Sequence, residues 1–253
     1  LLDVFMNLPA IVDFLQRELR IAELPDYSGA VNGLQVQNSG KVTKVAAAVD
    51  ASLPVVKKAI AAGADLLVVH HGLFWQGAQA LTGAFYEKIK CALDADLAIY
   101  SAHLPLDVHP QWGNNALLAQ AIGMRVIGTF LPYKGMPVGL LGELELSREA
   151  LLEAVEKAVG AKVHLCPGGP SHIRKIGLCT GGAGSEIAAA AGLDAFITGE
   201  GPHWSYPMAE EMGVNLFYAG HYATETFGVK ALAQEISQRW QIEQCFIDHP
   251  TGL

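Results

Sequence analysis

Two adjacent imidazoles, His70 and His71, close the apolar run Leu66 to Val69 and are followed at once by Gly72. Such a run reads as a buried strand. Ligands of open α/β sheets gather at the carboxyl ends of strands, where imidazole is a good metal donor. The next strand-like run, Leu97 to Tyr100, leads into Ser101-Ala102-His103-Leu104-Pro105-Leu106-Asp107, which brings another imidazole and a carboxylate to the corresponding edge. Pro105 stiffens the turn before Asp107. A third pair, His221 and Glu225, follows the run Val214 to Tyr218 at a spacing that puts both on one face of a helix. Taken singly, each has an ordinary reading: a core-packed histidine, a turn aspartate, a helix-start glutamate. Together they form a mixed nitrogen and oxygen donor set with no cysteine in it. That set suits Zn, Mn, Fe, Co or Ni, and a bridging carboxylate lets two cations sit about 3.5 to 4 Å apart. A two-metal centre activates water and clamps a displaced oxygen, so the chemistry it points to is hydrolytic.

Two further stretches end strands. Thr198-Gly199-Glu200 with His203 offers Glu200 and His203 as supports for the ligands or as proton-transfer groups. The turn Thr180-Gly181-Gly182-Ala183-Gly184-Ser185-Glu186 stands where phosphate binds readily, but it has no Gly-Lys-Thr, and close chain packing is the better reason for its glycines. Phe74 and Trp75 stand beside the His pair, placed either to stack on a ring-shaped substrate or to wall the metals from solvent.

The elements that must position these groups alternate. Leu8 to Leu19 carries a helical apolar stripe; strands are expected at Lys44 to Val49, Asp65 to Val69 and Leu97 to Tyr100, with helices between them. From Val126 to Gly169 the rhythm changes to two strand-like runs, a helix capped at Ser147 and a further strand. Alternation then resumes, ending in a long helix from about Ala223 to Trp240 and a strand at Cys245 to Ile247. The fold expected is α/β: two similar three-layer halves with mostly parallel sheets facing a central cleft. The first half is residues 1–125, with the His-His and Asp ligands. The second is 126–253, with a small α/β segment at 126–169 and the C-terminal His/Glu ligands.

Composition bounds the rest. The chain has 253 residues, 51% of them hydrophobic and 17% charged, with a formal charge of −8. That leaves ample apolar material for a core and argues against nonspecific coating of nucleic acid, which needs clustered Lys and Arg. No run is long enough for a membrane span, and Leu1 to Leu8 lack the basic start of a secretory signal. The four cysteines, at 91, 166, 179 and 245, fit neither a zinc knuckle nor a disulfide scaffold, so a reducing cytoplasm is expected. Low charge content with a mean hydropathy of +0.27 favours an oligomer.

Six blocks, taken in order, resemble a known family: Asn32-Gly33-Leu34-Gln35-Val36, His70-His71-Gly72-Leu73-Phe74-Trp75, the Ser101 to Asp107 stretch, Gly113-Asn114-Asn115, Thr198-Gly199-Glu200 and Gly220-His221-Tyr222-Ala223-Thr224-Glu225. The family is that labelled GTP cyclohydrolase I type 2 homologs, also called Ngg-one-interacting-factor-three-like. The resemblance implies two divalent metal ions per chain on His70, His71, Asp107, His221 and Glu225, with His103 as ligand or support. It also implies a toroidal homohexamer built as a trimer of dimers, and the family's short form, without the additional middle domain of some members. The function expected is a metal-dependent hydrolase of a small nucleotide-like or phosphorylated substrate, GTP cyclohydrolase activity coming with the family name alone. The alternatives are a non-catalytic ring that binds a protein or single-stranded nucleic acid, and metal handling.

Overall fold

The computed structural model describes residues 7–253. Residues 1–6, which carry most of the reading of Leu1 to Leu8, lie outside it. Two compact units make up the chain: Leu1–Leu106 with Gly228–His249, and Asp107–Phe227 with Pro250–Leu253. No helix among the described residues is long and apolar enough to cross a membrane.

In the first unit the sequence runs α1 (Leu8–Glu18), β1 (Gly33–Val36), β2 (Lys44–Asp50), α2 (Leu53–Ala61), β3 (Leu66–His71), α3 (Gly83–Asp94), β4 (Ala98–Ser101) and the single turn α4 (Leu104–Asp107). Its five-stranded sheet has the order β1-β4-β3-β2 and then the chain's last strand, β11 (Glu243–Phe246). The pairs β3/β4, β2/β3 and β11/β2 are parallel, and only β1 runs against its neighbour. A parallel strand between helices needs apolar side chains on both faces. β3 meets this, since Leu66 to His70 are all buried. Leu67, Val69 and Ile99 pack on Val55, Val56 and Ala59 of α2 and on Ala92 of α3. Leu66, Val68, Ala98 and Tyr100 point the other way and are equally buried, on the face left to the apolar stripes of α1 and of the chain's last helix.

The second unit runs α5 (Asn114–Ala121), β5 (Arg125–Tyr133), β6 (Met136–Ser147), α6 (Arg148–Val159), β7 (His164–Pro167), β8 (His172–Cys179), β9 (Ala195–Thr198), α7 (Ser205–Met212), β10 (Asn215–Tyr218) and α8 (His221–Thr224). Its six strands are ordered β5-β6-β8-β9-β10-β7, parallel at β8/β9 and β9/β10 and antiparallel at the other pairs. One face packs Ile176, Leu178 and Ile197 on α5 and α6; the other packs Cys179, Phe196 and Leu216 on α7 and a 3-10 segment, Ala183–Ala190. Each unit is thus a three-layer α/β arrangement.

Three local features have identifiable causes. The long helix expected from Ala223 is interrupted at Glu225 (φ −104°, ψ 6°), so α8 ends there and α9 (Thr226–Trp240) starts afresh. The segment Ala183–Ala190 is 3-10, with a kink at Glu186, and its start is held close by Gly184 packing on Gly201. β1 forms because Leu34 and Val36 pair with β4 across a bulge.

The charged residue inside the apolar run before β3 has a structural role. Asp65 Oδ2 accepts from Thr43 N at 2.6 Å, Thr43 Oγ1 at 2.5 Å and Lys44 N at 3.1 Å, tying the start of β2 to that of β3. Asp65→Ala strands these donors and is expected to cost about 1–3 kcal/mol, read as a lowered urea midpoint with an unchanged slope; a midpoint equal to the parent's would remove this role.

Candidate metal centre

β2, β3 and β4 run in parallel, so their carboxyl ends lie side by side. Asp50 pairs in register with His71, and Val69 with Ser101, which brings His103 to the same edge two residues later. One ring nitrogen from each of His70, His71 and His103 lies within 4.8 Å of those of the other two. The ring centroids are 4.9 to 5.7 Å apart.

What the other ring nitrogens do makes this a donor set rather than a crowd. His70, fully buried, has Nδ1 2.8 Å from the carbonyl of Ala102. A carbonyl only accepts, so Nδ1 carries the proton and the lone pair of the neutral ring is on Nε2. His71 Nδ1 lies 2.9 Å from Asp50 Oδ1, and His103 Nδ1 lies 2.9 and 3.1 Å from the two Asp26 oxygens. A backing carboxylate or carbonyl fixes the tautomer of a metal-ligating histidine and raises its basicity. Asp26 also accepts from Asn32 Nδ2 and from the N–H groups of Tyr27 and Leu104. Burial works against its charge, but the His103 ring and these donors outweigh it and hold the carboxyl below the usual range.

In the second unit Asp107, nearly buried at the end of α4, accepts from Asn114 Nδ2 at 2.8 Å and from Thr180 Oγ1 at 3.4 Å. An Asp107 oxygen lies within 4.8 Å of one from Glu225. His221 opens α8 and Glu225 follows its last residue. The two still meet, Nε2 to Oε2 at 3.2 Å, although no continuous helix joins them as the spacing had suggested. His221 Nδ1 is held by Glu200 Oε1 at 2.8 Å, the same carboxylate backing as in the first unit. Burial disfavours the imidazolium of His221, yet Glu225 and then Glu200 prevail and raise it to about 9. The thiol of Cys179 behaves oppositely: burial, then the Asp107 and Glu225 charges, pushes it far up, so it is no thiolate donor at neutral pH.

The glycine turn after β8 serves Glu225. Gly181 has φ +70°, and a Cβ there would fall 2.2 Å from Glu225 Oε1. Four of its N–H groups are already committed within the protein: Thr180 to Asn115, Gly181 to Thr224, Ala183 to Thr198 and Gly184 to Glu200. Donors so engaged do not form a phosphate cradle. His203 is exposed, and its backbone carbonyl accepts from Tyr206 N. Sequence reading missed Asp26, Asp50 and Thr180. Asp50 ends a strand beside β3 and was findable by the same strand-end logic; Asp26 sits in a loop 77 positions from His103, with no pattern linking them.

The Duf34/NIF3 (NGG1p interacting factor 3) family profile matches residues 6–252. The chain belongs to that family. A Deinococcus radiodurans protein named GTP cyclohydrolase 1 type 2 homolog is 42% identical over 247 residues, covering 96% of this chain and 93% of its own. One of the same name from Archaeoglobus fulgidus is 42% identical over 250 residues, covering 98% of this chain and all of its own. Among solved structures, a Thermus thermophilus protein matches with a TM-score of 0.87 at 35% identity, over 97% of this chain and 99% of its own. Reduced HcgD from Methanocaldococcus jannaschii matches at 0.83 and 28% identity, over 95% and 97%. For a Duf34/NIF3 chain the fit of the donors to divalent metal is chemical: imidazoles whose Nδ1 atoms each face a fixed acceptor, two nearly buried carboxylates and no thiolate.

Two outcomes follow. Asp50→Ala should weaken metal binding by about 10- to 100-fold, measured by competition with a chromophoric chelator, because His71 loses the group that orients it; unchanged affinity would mean that His71 is not a ligand. In metal-free protein the folded His221 titrates above its unfolded value of 6.5. The stability it adds is complete below about pH 6.5 and is lost as pH rises through about 9. The pH dependence of urea unfolding should show that loss, and His221→Ala should abolish it.

Proposed function

We propose that this Duf34/NIF3 chain holds two divalent first-row ions and is a metal-dependent hydrolase of a small nucleotide-like or phosphorylated substrate. The observation that supports it most is the uniform backing of the histidines: Ala102 O behind His70, Asp50 behind His71, Asp26 behind His103 and Glu200 behind His221. Structural histidines need no such common orientation, whereas metal-ligating ones almost always have it. His70, His71 and His103 are the donors of the first unit, and Asp107, His221 and Glu225 those of the second. That both sets serve one dinuclear centre, and that the chain assembles as a homohexamer, are implications of the family resemblance carried within this proposal.

Divalent ions held there supply Lewis acidity toward water and toward a displaced oxygen. The protein's own groups hold donors in place. Asn114 Nδ2 and Thr180 Oγ1 both donate to one oxygen of Asp107 and so orient its carboxylate. Glu200 Oε1 accepts the Nδ1–H of His221, and its side chain, 41% exposed, also has access to solvent protons. Glu200 is therefore assigned to positioning and proton exchange, and His203 receives no role.

Elemental analysis of the native protein should find about two metals per chain, fewer in His71→Ala and Glu225→Ala. The loaded protein should turn over at least one member of a nucleotide and phosphoester panel and stop on chelation. Light scattering of the same sample should give six times the 26.9 kDa chain mass. Unchanged metal content in both variants would sink the centre. Full loading without turnover would sink the hydrolase and leave a metal-binding protein, and a monomeric mass would remove the ring.

A further inference from the structure

A cavity of about 380 Å³ in the first unit opens beside the His71 end of the sheet, lined among others by Ser52, Trp75, Gln76, Gln79, Phe85 and Lys88. Gly72, directly after His71, also lines it. The volume is within the range of small-molecule pockets. Its chemistry is lopsided: one cation, two amides, one hydroxyl and two aromatics, with no Asp or Glu among the described lining residues.

Lys88 differs from its neighbours. Lys57 is bound to Glu87 and Lys90 to Asp94, but no described carboxylate pairs with Lys88, which lies partly buried with its ammonium 5.8 Å from the centre of the Phe85 ring. Burial pulls its ammonium below the ordinary range, a cost that an anion alongside would relieve. The first turns of α2 and α3 contribute Leu53, Ala84 and Phe85 to the same wall, and neither turn holds an acidic residue, so both helix dipoles add positive potential there.

Trp75 joins this cavity to the imidazoles. Its ring centroid is 5.3 Å from that of His71 and 4.7 Å from that of His103, and 37% of the residue is exposed, leaving indole surface for a ligand. We propose that the cavity binds a phosphorylated aromatic heterocycle, its ring against Trp75 and its phosphate at Lys88. The part of the ligand beyond Trp75 would then lie next to His71 and His103. This deepens the hydrolase reading and rests on it only for what happens to the ligand, not for whether it binds.

Calorimetry on the full chain, metal-loaded and chelated, tests this with adenosine 5′-monophosphate, adenosine and inorganic phosphate as probes. Lys88→Gln should weaken the monophosphate by about tenfold or more and leave adenosine unchanged. Trp75→Leu should weaken both monophosphate and adenosine by about tenfold. Lys90→Gln, whose lysine is already paired, should change neither. Monophosphate binding indifferent to Lys88→Gln and Trp75→Leu would overturn the proposal, as would none at millimolar concentration in protein carrying its ions. The two readings fail separately. Ions bound without the monophosphate remove the cavity and leave the metal centre; monophosphate bound through Lys88 in protein that takes up no ions removes the metal centre and leaves the cavity.

Discussion

A histidine can hold a cation only through a nitrogen that keeps a lone pair, and a neutral imidazole has one such nitrogen. Everything proposed for this chain depends on which one that is. At His70 the Ala102 carbonyl decides the matter, because it can accept but never donate. At His71 and His103 carboxylates make the same choice, whereas His221 has Glu200 at Nδ1 and Glu225 at Nε2. Three rings, His70, His71 and His103, therefore carry the same bias toward Nε2 coordination, and that bias is built into the fold rather than induced by an ion.

Parallel strands make the backing possible. With β2, β3 and β4 in parallel register, the carboxyl end of one strand lies beside that of the next, so Asp50 reaches His71 across a ladder and not through a loop. The second unit reaches an equivalent result by different means. Gly181 gives up a side chain so that the Glu225 carboxylate can approach, and the helix breaks at Glu225 instead of running through it. Both features cost local regularity. A turn with positive φ and an interrupted helix are tolerable where the surrounding hydrogen bonds, here from Gly181 N to Thr224 and from Thr180 N to Asn115, determine the conformation.

Much of this was legible in the sequence, and the reason is physical. Buried parallel strands need uninterrupted apolar runs, so Lys44 to Val49, Asp65 to Val69 and Leu97 to Tyr100 declared themselves, and strand ends then pointed to His70, His71 and His103. The hairpin between 126 and 146 was equally visible, and its Lys134-Gly135 link takes the two positive φ values that a tight turn requires. Pairing partners were not visible. β11 follows the second unit's elements in sequence but pairs with β2, and an edge strand of four residues carries no mark of which sheet it joins. Asp26 was hidden for a similar reason: its partner, His103, is fixed by tertiary structure alone. Helical spacing brought His221 and Glu225 together correctly while misjudging the helix, since a break at the second residue preserves the contact.

Charge bears on how an anionic ligand would reach the proposed metal centre. A divalent ion on His70, His71 and His103 would sit among neutral rings, yet Asp50 and Asp26 behind two of them contribute two negative charges. Locally the ion is then about balanced. Asp107, Glu225 and Glu200 would more than offset an ion held in the second unit. Backing carboxylates raise the donor strength of imidazole, but they also quench the field that the metals would otherwise present to an incoming phosphate. A phosphorylated ligand would thus feel little long-range attraction to ions so compensated, and the chain's formal charge of −8 would oppose it. In the cavity proposed for that ligand, Lys88, with no Asp or Glu among the described lining residues, would supply locally what the net charge and such compensated ions would not.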